Sequence, residues 1–312
     1  MSVVSVVRVM NVRSIFILLV LLVLLALAAL GCAPSMPSPL APALRGSIGL
    51  PHHGVITGAL EMPRRGEGYV LLRSKGARWG NPRLVSAIQT AAADVWRARP
   101  GGEPLVVGDL SAQAGGFIRG HRSHRTGRDV DLLLYALTPE GIPVRSPGFI
   151  RFGPDGLADY EDEHGKNVFL RLDVERSWML VKALLGSPEA DVQWIFVARW
   201  VEALVIEYAR ARDEDPELLW QAENVLLQPG DSAAHDDHFH VRIACTPEET
   251  VAGCLSGGPA WPWLPALPQL SALQDGELVT ALIDDLLPGP ATPPAAPRSP
   301  AGIGQAAAGA AP

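Results

Sequence analysis

Five of the eight histidines fall in two short stretches, His121 and His124 in GHRSHRTGRDVD and His235, His238 and His240 in HDDHFHVR. Imidazole binds transition metals and moves protons near neutral pH, so this clustering points to a reactive site. HFHVRI alternates polar and apolar as a half-buried strand does. His238, His240 and Arg242 then share one face, and Phe239, Val241 and Ile243 pack on the core from the other. The two imidazoles stand side by side about 7 Å apart at Cα, which suits one metal ligand beside one catalytic group. The first stretch adds His124 on a glycine-containing loop and, seven residues on, Asp131 within VDLLLY. An ionised carboxylate in so apolar a run is expensive unless it is paired or metal-bound. Asp129 shares its face and is a rival ligand. A set of His124, Asp131 and His240 leaves a fourth position open, and such nitrogen and oxygen donors favour zinc.

Competing designs lack their residues. There is no HExxH, GxSxG or SxxK, which removes helix-borne zinc proteases with a glutamate base and the commonest serine templates. Cys245 and Cys254 are expected to form a disulfide, given the signs of export described below. His52 and His53 read as an exposed loop, and the tryptophans between Trp194 and Trp220 as core.

The elements that must position these groups follow from periodicity. Helices are expected at 84–97, 175–185, 199–211 and 216–227, and strands at 104–108, 129–135, 192–197 and 238–243. This is an α+β pattern, with a small, mostly antiparallel central sheet flanked by helices in a single catalytic domain, 46–287. Arg8 and Arg13 precede an uncharged apolar run, 15–30, ending in Ala29-Leu30-Gly31-Cys32. That reads as a lipoprotein-type export signal over 1–31, with Cys32 as the acylated residue, an ordinary signal peptide or a retained span being the alternatives. Residues 32–45 read as a flexible linker and 288–312 as a disordered Pro/Ala-rich tail. Losing 1–31 removes two arginines and moves the formal charge from −7 to −9, which argues against nucleic acid as a partner.

The stretches GDLSAQAGGFIRGHRSHRTGRDVDLLLY and HDDHFHVRIAC, with GSIGLPHHGVITGAL, GNPRLVSAIQ and VQWIFV, resemble the penicillin-insensitive murein endopeptidases over roughly 46–255. These are zinc metallopeptidases related to the lysostaphin, D-Ala-D-Ala peptidase and Hedgehog group. The resemblance implies that His124, Asp131 and His240 hold Zn2+, and that His238 works beside it on the attacking water or the oxyanion. It places His121 and His235 in the cleft, with His121 able to touch a metal and His235 to orient the site or give a proton to the leaving amine. Asp236 and Asp237 are expected to fix imidazole tautomers. His164 lies where relatives can carry accessory ligands, although EDEHGKN departs from their pattern. The implied substrate is the D-alanyl–meso-diaminopimelyl cross-link of peptidoglycan. The implied place is the periplasm, on the outer membrane through Cys32. A D-Ala-D-Ala carboxypeptidase, or a zinc-stabilised peptidoglycan-binding lipoprotein without activity, are the other readings.

Overall fold

A computed structural model describes residues 45–268 except Ser74, Glu163 and Asp231. The expected signal, Cys32, most of the linker, the segment 269–287 and the tail lie outside the described residues.

A hairpin opens the chain, β1 (Gly46–Leu50) and β2 (His53–Thr57), turning at Pro51 and His52. Short strands follow: β3 (Leu60–Glu61), β4 (Arg65–Gly66), β5 (Tyr69–Leu71) and β6 (Trp79–Gly80). Helix α1 (Pro82–Ala98) starts where Asn81 accepts from the Arg83 amide and Pro82 takes the first helical position, an arrangement that satisfies orphan donors at a helix start. Its Leu84, Ile88, Ala91, Ala92 and Val95 are buried. Then come β7 (Leu105–Val107), β8 (Asp129–Leu133), β9 (Ala136–Leu137), β10 (Pro143–Val144), β11 (Leu157–Glu161) and β12 (Asn167–Leu172). Helix α2 (Val174–Leu185), capped by Asp173, precedes β13 (Val192–Phe196) and α3 (Arg199–Arg210). The last elements are α4 (Pro216–Val225), β14 (Leu226–Leu227), β15 (His238–Ile243) and α5 (Pro247–Val251).

Seven strands form the main sheet in the order β14-β13-β15-β8-β7-β5-β4. The β13–β15, β15–β8, β8–β7 and β4–β5 pairs are antiparallel, while β13–β14 and β5–β7 are parallel. Val130 and Leu132 of β8 and Phe239, Val241 and Ile243 of β15 join one core with apolar residues of α1, α2, α3 and α4. That core occupies one face of the two central strands and leaves the opposite face for chemistry. The expected helix 216–227 stops at Val225, because Leu226 is extended and pairs with β13.

The four-stranded sheet β10-β9-β12-β11 was not foreseen. In β12 the inward residues Leu170 and Leu172 are buried, but the outward Phe169 is 61% exposed. An apolar residue on the outer face erases the alternation that marks a strand.

Cys245 and Cys254 are joined by a disulfide that closes the α5 turn behind β15. Replacing both by Ala is expected to lower unfolding stability by about 2–3 kcal/mol, from the entropy of so short a loop. Denaturant titration of the double variant checks it; an unchanged midpoint would contradict it.

Candidate metal centre

Strand register assembles the site. In the β8–β15 ladder His240 lies opposite Asp131 and Arg242 opposite Asp129. Directly opposed residues of an antiparallel pair share a face, so the two carboxylates, His238, His240 and Arg242 emerge together. His124 arrives from the loop between β7 and β8. Gly127 in that loop has φ +70°, where a Cβ would meet Ile56 Cδ1 at 2.4 Å, and its carbonyl accepts from the Asn81 amide at 2.7 Å. His124 itself has φ 66° and His235 φ 54°. Left-handed backbone at non-glycine residues is strained, and such strain concentrates at functional sites.

One oxygen is the focus. Asp131 Oδ1 lies 3.2 Å from His124 Nε2, 3.3 Å from His238 Nε2 and 3.5 Å from His240 Nδ1. His121 Nδ1 is 3.6 Å from the other oxygen, Oδ2. Each ring is oriented from behind. His124 Nδ1 donates to the Leu110 carbonyl (2.6 Å), His240 Nε2 to Asp129 Oδ1 (2.8 Å), His238 Nδ1 to Asp237 Oδ1 (2.5 Å) and His121 Nε2 to Asp109 Oδ2 (3.1 Å). Arg242 Nε also donates to Asp129 Oδ1, at 2.7 Å. In a neutral ring, fixing the outer nitrogen leaves the inner one as a lone-pair donor, the arrangement found behind metal-binding histidines.

The electrostatics separate the histidines. Burial lowers the His240 pKa to about 4 against the pull of Asp129, with His124 adding to the fall. It is therefore neutral and ready to bind a cation. Burial also opposes charge on His124, but Asp131 and Asp129 overcome it and raise its pKa. His238 rises to about 9, its burial outweighed by the neighbouring Asp131 and Asp237 carboxylates. His235 is lowered by burial and by His238. The Asp131 carboxyl is held well below the usual range: burial opposes its charge, and His124 and His238 prevail.

His124 Nε2 and Asp131 Oδ1 are both buried without a hydrogen-bond partner. Buried polar atoms are rarely left so, and a cation between them would satisfy both. The set of two imidazole nitrogens and a carboxylate fits zinc. Two groups of three possible donors occur, His121–His124–Asp131 and His235–His238–His240, the ligand atoms within each group lying within 4.8 Å of one another. A proton on His124, whose pKa is raised, competes with a cation, so affinity is expected to rise with pH. Calorimetric titration with zinc from about pH 6 to about pH 8 should show at least about tenfold tightening with net proton release. Affinity independent of pH would contradict this assignment.

The family model for penicillin-insensitive murein endopeptidases matches residues 47–259. The chain belongs to that family. Relatives include the penicillin-insensitive murein endopeptidase of Haemophilus influenzae, 29% identical over 212 residues, covering 64% of this chain and 63% of that protein. Those of Escherichia coli O157:H7 and K12 are 31% and 32% identical over 208 residues, covering 65% of this chain and 68% of theirs. The chain thus spans just under two thirds of the Haemophilus influenzae relative's length.

In this murein endopeptidase family member the structure gathers His121, His124, Asp131, His235, His238 and His240 at one place. Asp129 supports His240 and Arg242 from behind. Of the two acids before the HxH pair, Asp237 orients His238, while Asp236 lies 3.7 Å from Arg151. His164 sits in the exposed β11–β12 turn and belongs to neither donor group. His52 and His53 are exposed at the hairpin turn, with burial and the nearby Arg242 lowering the His52 pKa.

The tryptophans need correction. Trp200 packs against the core, but Trp194 stacks on Phe196, whose ring meets His240 edge-on at 5.4 Å, and Trp220 is 47% exposed. Alternation along β13 carries Trp194 and Phe196 onto the site face, opposite Arg242 and His240. Asp109 and the Leu110 carbonyl escaped the sequence reading. A carboxylate directly after a buried strand, in VVGDL, was the available signal for Asp109.

Proposed function

We propose that this chain is a zinc-dependent murein endopeptidase that hydrolyses D-alanyl–meso-diaminopimelyl cross-links of peptidoglycan. The observation that carries the reading is the pair of buried, unpartnered atoms, His124 Nε2 and Asp131 Oδ1, facing each other at 3.2 Å with His240 Nδ1 beside them. Family membership supplies the substrate class.

His124, Asp131 and His240 would hold the ion. A zinc ion there supplies Lewis acidity to the scissile carbonyl and makes water a nucleophile near neutral pH. The protein's own groups handle the protons. Asp237 on Nδ1 favours a protonated His238, whose Nε2–H is aimed to stabilise the developing oxyanion or protonate the leaving amine. His235, kept neutral, is the proton acceptor. Its Nδ1 donates to the Ala233 carbonyl (2.8 Å), which leaves Nε2 free to accept. Two neighbouring groups with pKa values pushed in opposite directions divide acid and base work in this way. The sequence had left His238 either the attacking water or the oxyanion, and His235 either orientation or the leaving amine; the opposite pKa shifts favour the oxyanion for His238 and the water's proton for His235.

Digestion of cross-linked muropeptide dimers by the full chain in detergent, with and without chelator, tests the reading by mass spectrometry. Chelator-sensitive conversion to monomers is expected. Intact dimers with loss of terminal D-Ala would indicate a carboxypeptidase, and wall binding without cleavage a non-catalytic lipoprotein. Arg8 and Arg13 before an apolar run that ends in Gly31-Cys32 further support a reading as a periplasmic enzyme tethered to the outer membrane through Cys32. Incorporation of labelled palmitate, abolished in Cys32→Ala, is expected; an unlabelled chain would refute the anchor.

A further inference from the structure

Beside the metal centre lies a cavity of about 480 Å³, its lining including Arg73, Lys75, Trp79, Asp109, Arg119 and His121. His121 is the shared wall, with Nδ1 3.6 Å from Asp131 and Nε2 donating to Asp109 at 3.1 Å. Arg73 is committed: Nη1 pairs with Asp109 Oδ2 at 2.6 Å, and its guanidinium lies 5.9 Å from the Phe149 ring centroid. Phe149 in turn meets His238 edge-on at 5.3 Å. Burial opposes the Asp109 charge, but His121 and Arg73 overcome it and hold the carboxyl below its usual range. That one acid is thus spent on two partners. Among the described residues, Lys75 and Arg119 have neither a hydrogen-bond nor an ion-pair partner. A chain of net charge −7 has gathered three cations against one acid in a concave wall of its reactive site.

We propose that this cavity is a subsite for a free carboxylate on the peptide substrate, read by Lys75 and Arg119, with Arg73 held in place by Asp109. The proposal rests on the peptidase reading and specifies which end of the cleft takes an acidic peptide arm. Guanidinium and ammonium groups lining a recess select anionic ligands through charge-assisted hydrogen bonds, and a carboxylate there would meet both without disturbing the Arg73–Asp109 pair. Ion pairs at an open mouth are screened by salt, so the selectivity carries a salt signature.

The test compares the zinc-loaded full chain with its Lys75→Gln/Arg119→Gln variant on two cross-linked muropeptides, one with free carboxylates and one with them amidated. The wild type is expected to favour the free acid by about tenfold, mainly through KM. In the variant that ratio should fall to near unity. High salt should shrink the wild-type preference, and Arg119→Glu should favour the amidated substrate. Equal cleavage of both substrates by the wild type, or the same preference in wild type and variant, overturns the subsite and leaves the peptidase reading standing. If the zinc-loaded wild type cleaves neither substrate, the peptidase reading fails and the subsite fails with it.

Discussion

Replacing Asp131 by Asn is expected to lower kcat/KM on cross-linked muropeptides by about 10³-fold, the several kcal/mol of Lewis-acid stabilisation that goes with a lost metal ion. Asp131 Oδ1 is the atom to which three imidazoles point, and as a carboxylate it neutralises whatever cation they share. Asn keeps the shape but not the charge. The core should survive, because Val130 and Leu132 on either side pack on the opposite face of the sheet. With the anion gone, the forces raising the pKa of His124 and His238 weaken, so both histidines should lose protons at lower pH. Retained secondary structure with absent activity and absent metal is the expected pattern. A variant that keeps more than about a tenth of wild-type activity would remove Asp131 from the centre.

Removing Asp129 should damage the site in another way. Its Oδ1 accepts from both His240 Nε2 and Arg242 Nε, and the residue is fully buried. Burial works against its charge, yet Arg242 and His240 hold its carboxyl far below the ordinary range. Asp129→Ala leaves Arg242 without its acid and His240 without a fixed tautomer. Breaking a buried charge pair from one side costs about 3–5 kcal/mol, and losing a residue behind a metal-binding histidine weakens affinity about 10–100-fold. The pH dependence has a definite sign. Because the folded pKa is depressed, the stability Asp129 contributes is full above the unfolded value of about 3.9 and is lost as pH falls below it. Acid unfolding followed by circular dichroism should therefore depend less steeply on pH in Asp129→Asn than in the wild type. Identical acid transitions would show that the buried pair contributes nothing to stability.

Sequence pattern revealed the central ladder well, for a physical reason. HFHVRI and DVDLLLY each carry polar groups with a period of two, one face burying apolar residues and the other carrying the clustered His and Asp side chains. Those two strands pair in the register that sets His240 against Asp131. The supporting residues were harder to read. A backbone carbonyl such as that of Leu110 has no sequence signature, and Asp109 becomes a partner of His121 and Arg73 only through the course of the loop between β7 and β8 and the pairing of β5 with β7. The choice between Asp129 and Asp131 as ligand was also open, since both lie on one face. Three-dimensional arrangement distinguishes them: Asp131 sits amid three imidazoles, while Asp129 lies behind His240 and binds Arg242. The β9–β12 sheet stayed hidden because its outward positions include exposed apolar residues, Leu157 and Phe169. Trp194 looked like core because aromatic residues in a strand usually are; only its pairing opposite Arg242 puts it on the reactive face.

The most direct test of the central claim is the zinc content of the purified full chain, measured by mass spectrometry after chelation and reconstitution, beside the folded Asp131→Asn and His240→Ala variants. One tightly held zinc in the wild type and none in either variant is the expected result. No zinc in the folded wild type, or the same zinc content in all three, would contradict a metal centre built on His124, Asp131 and His240.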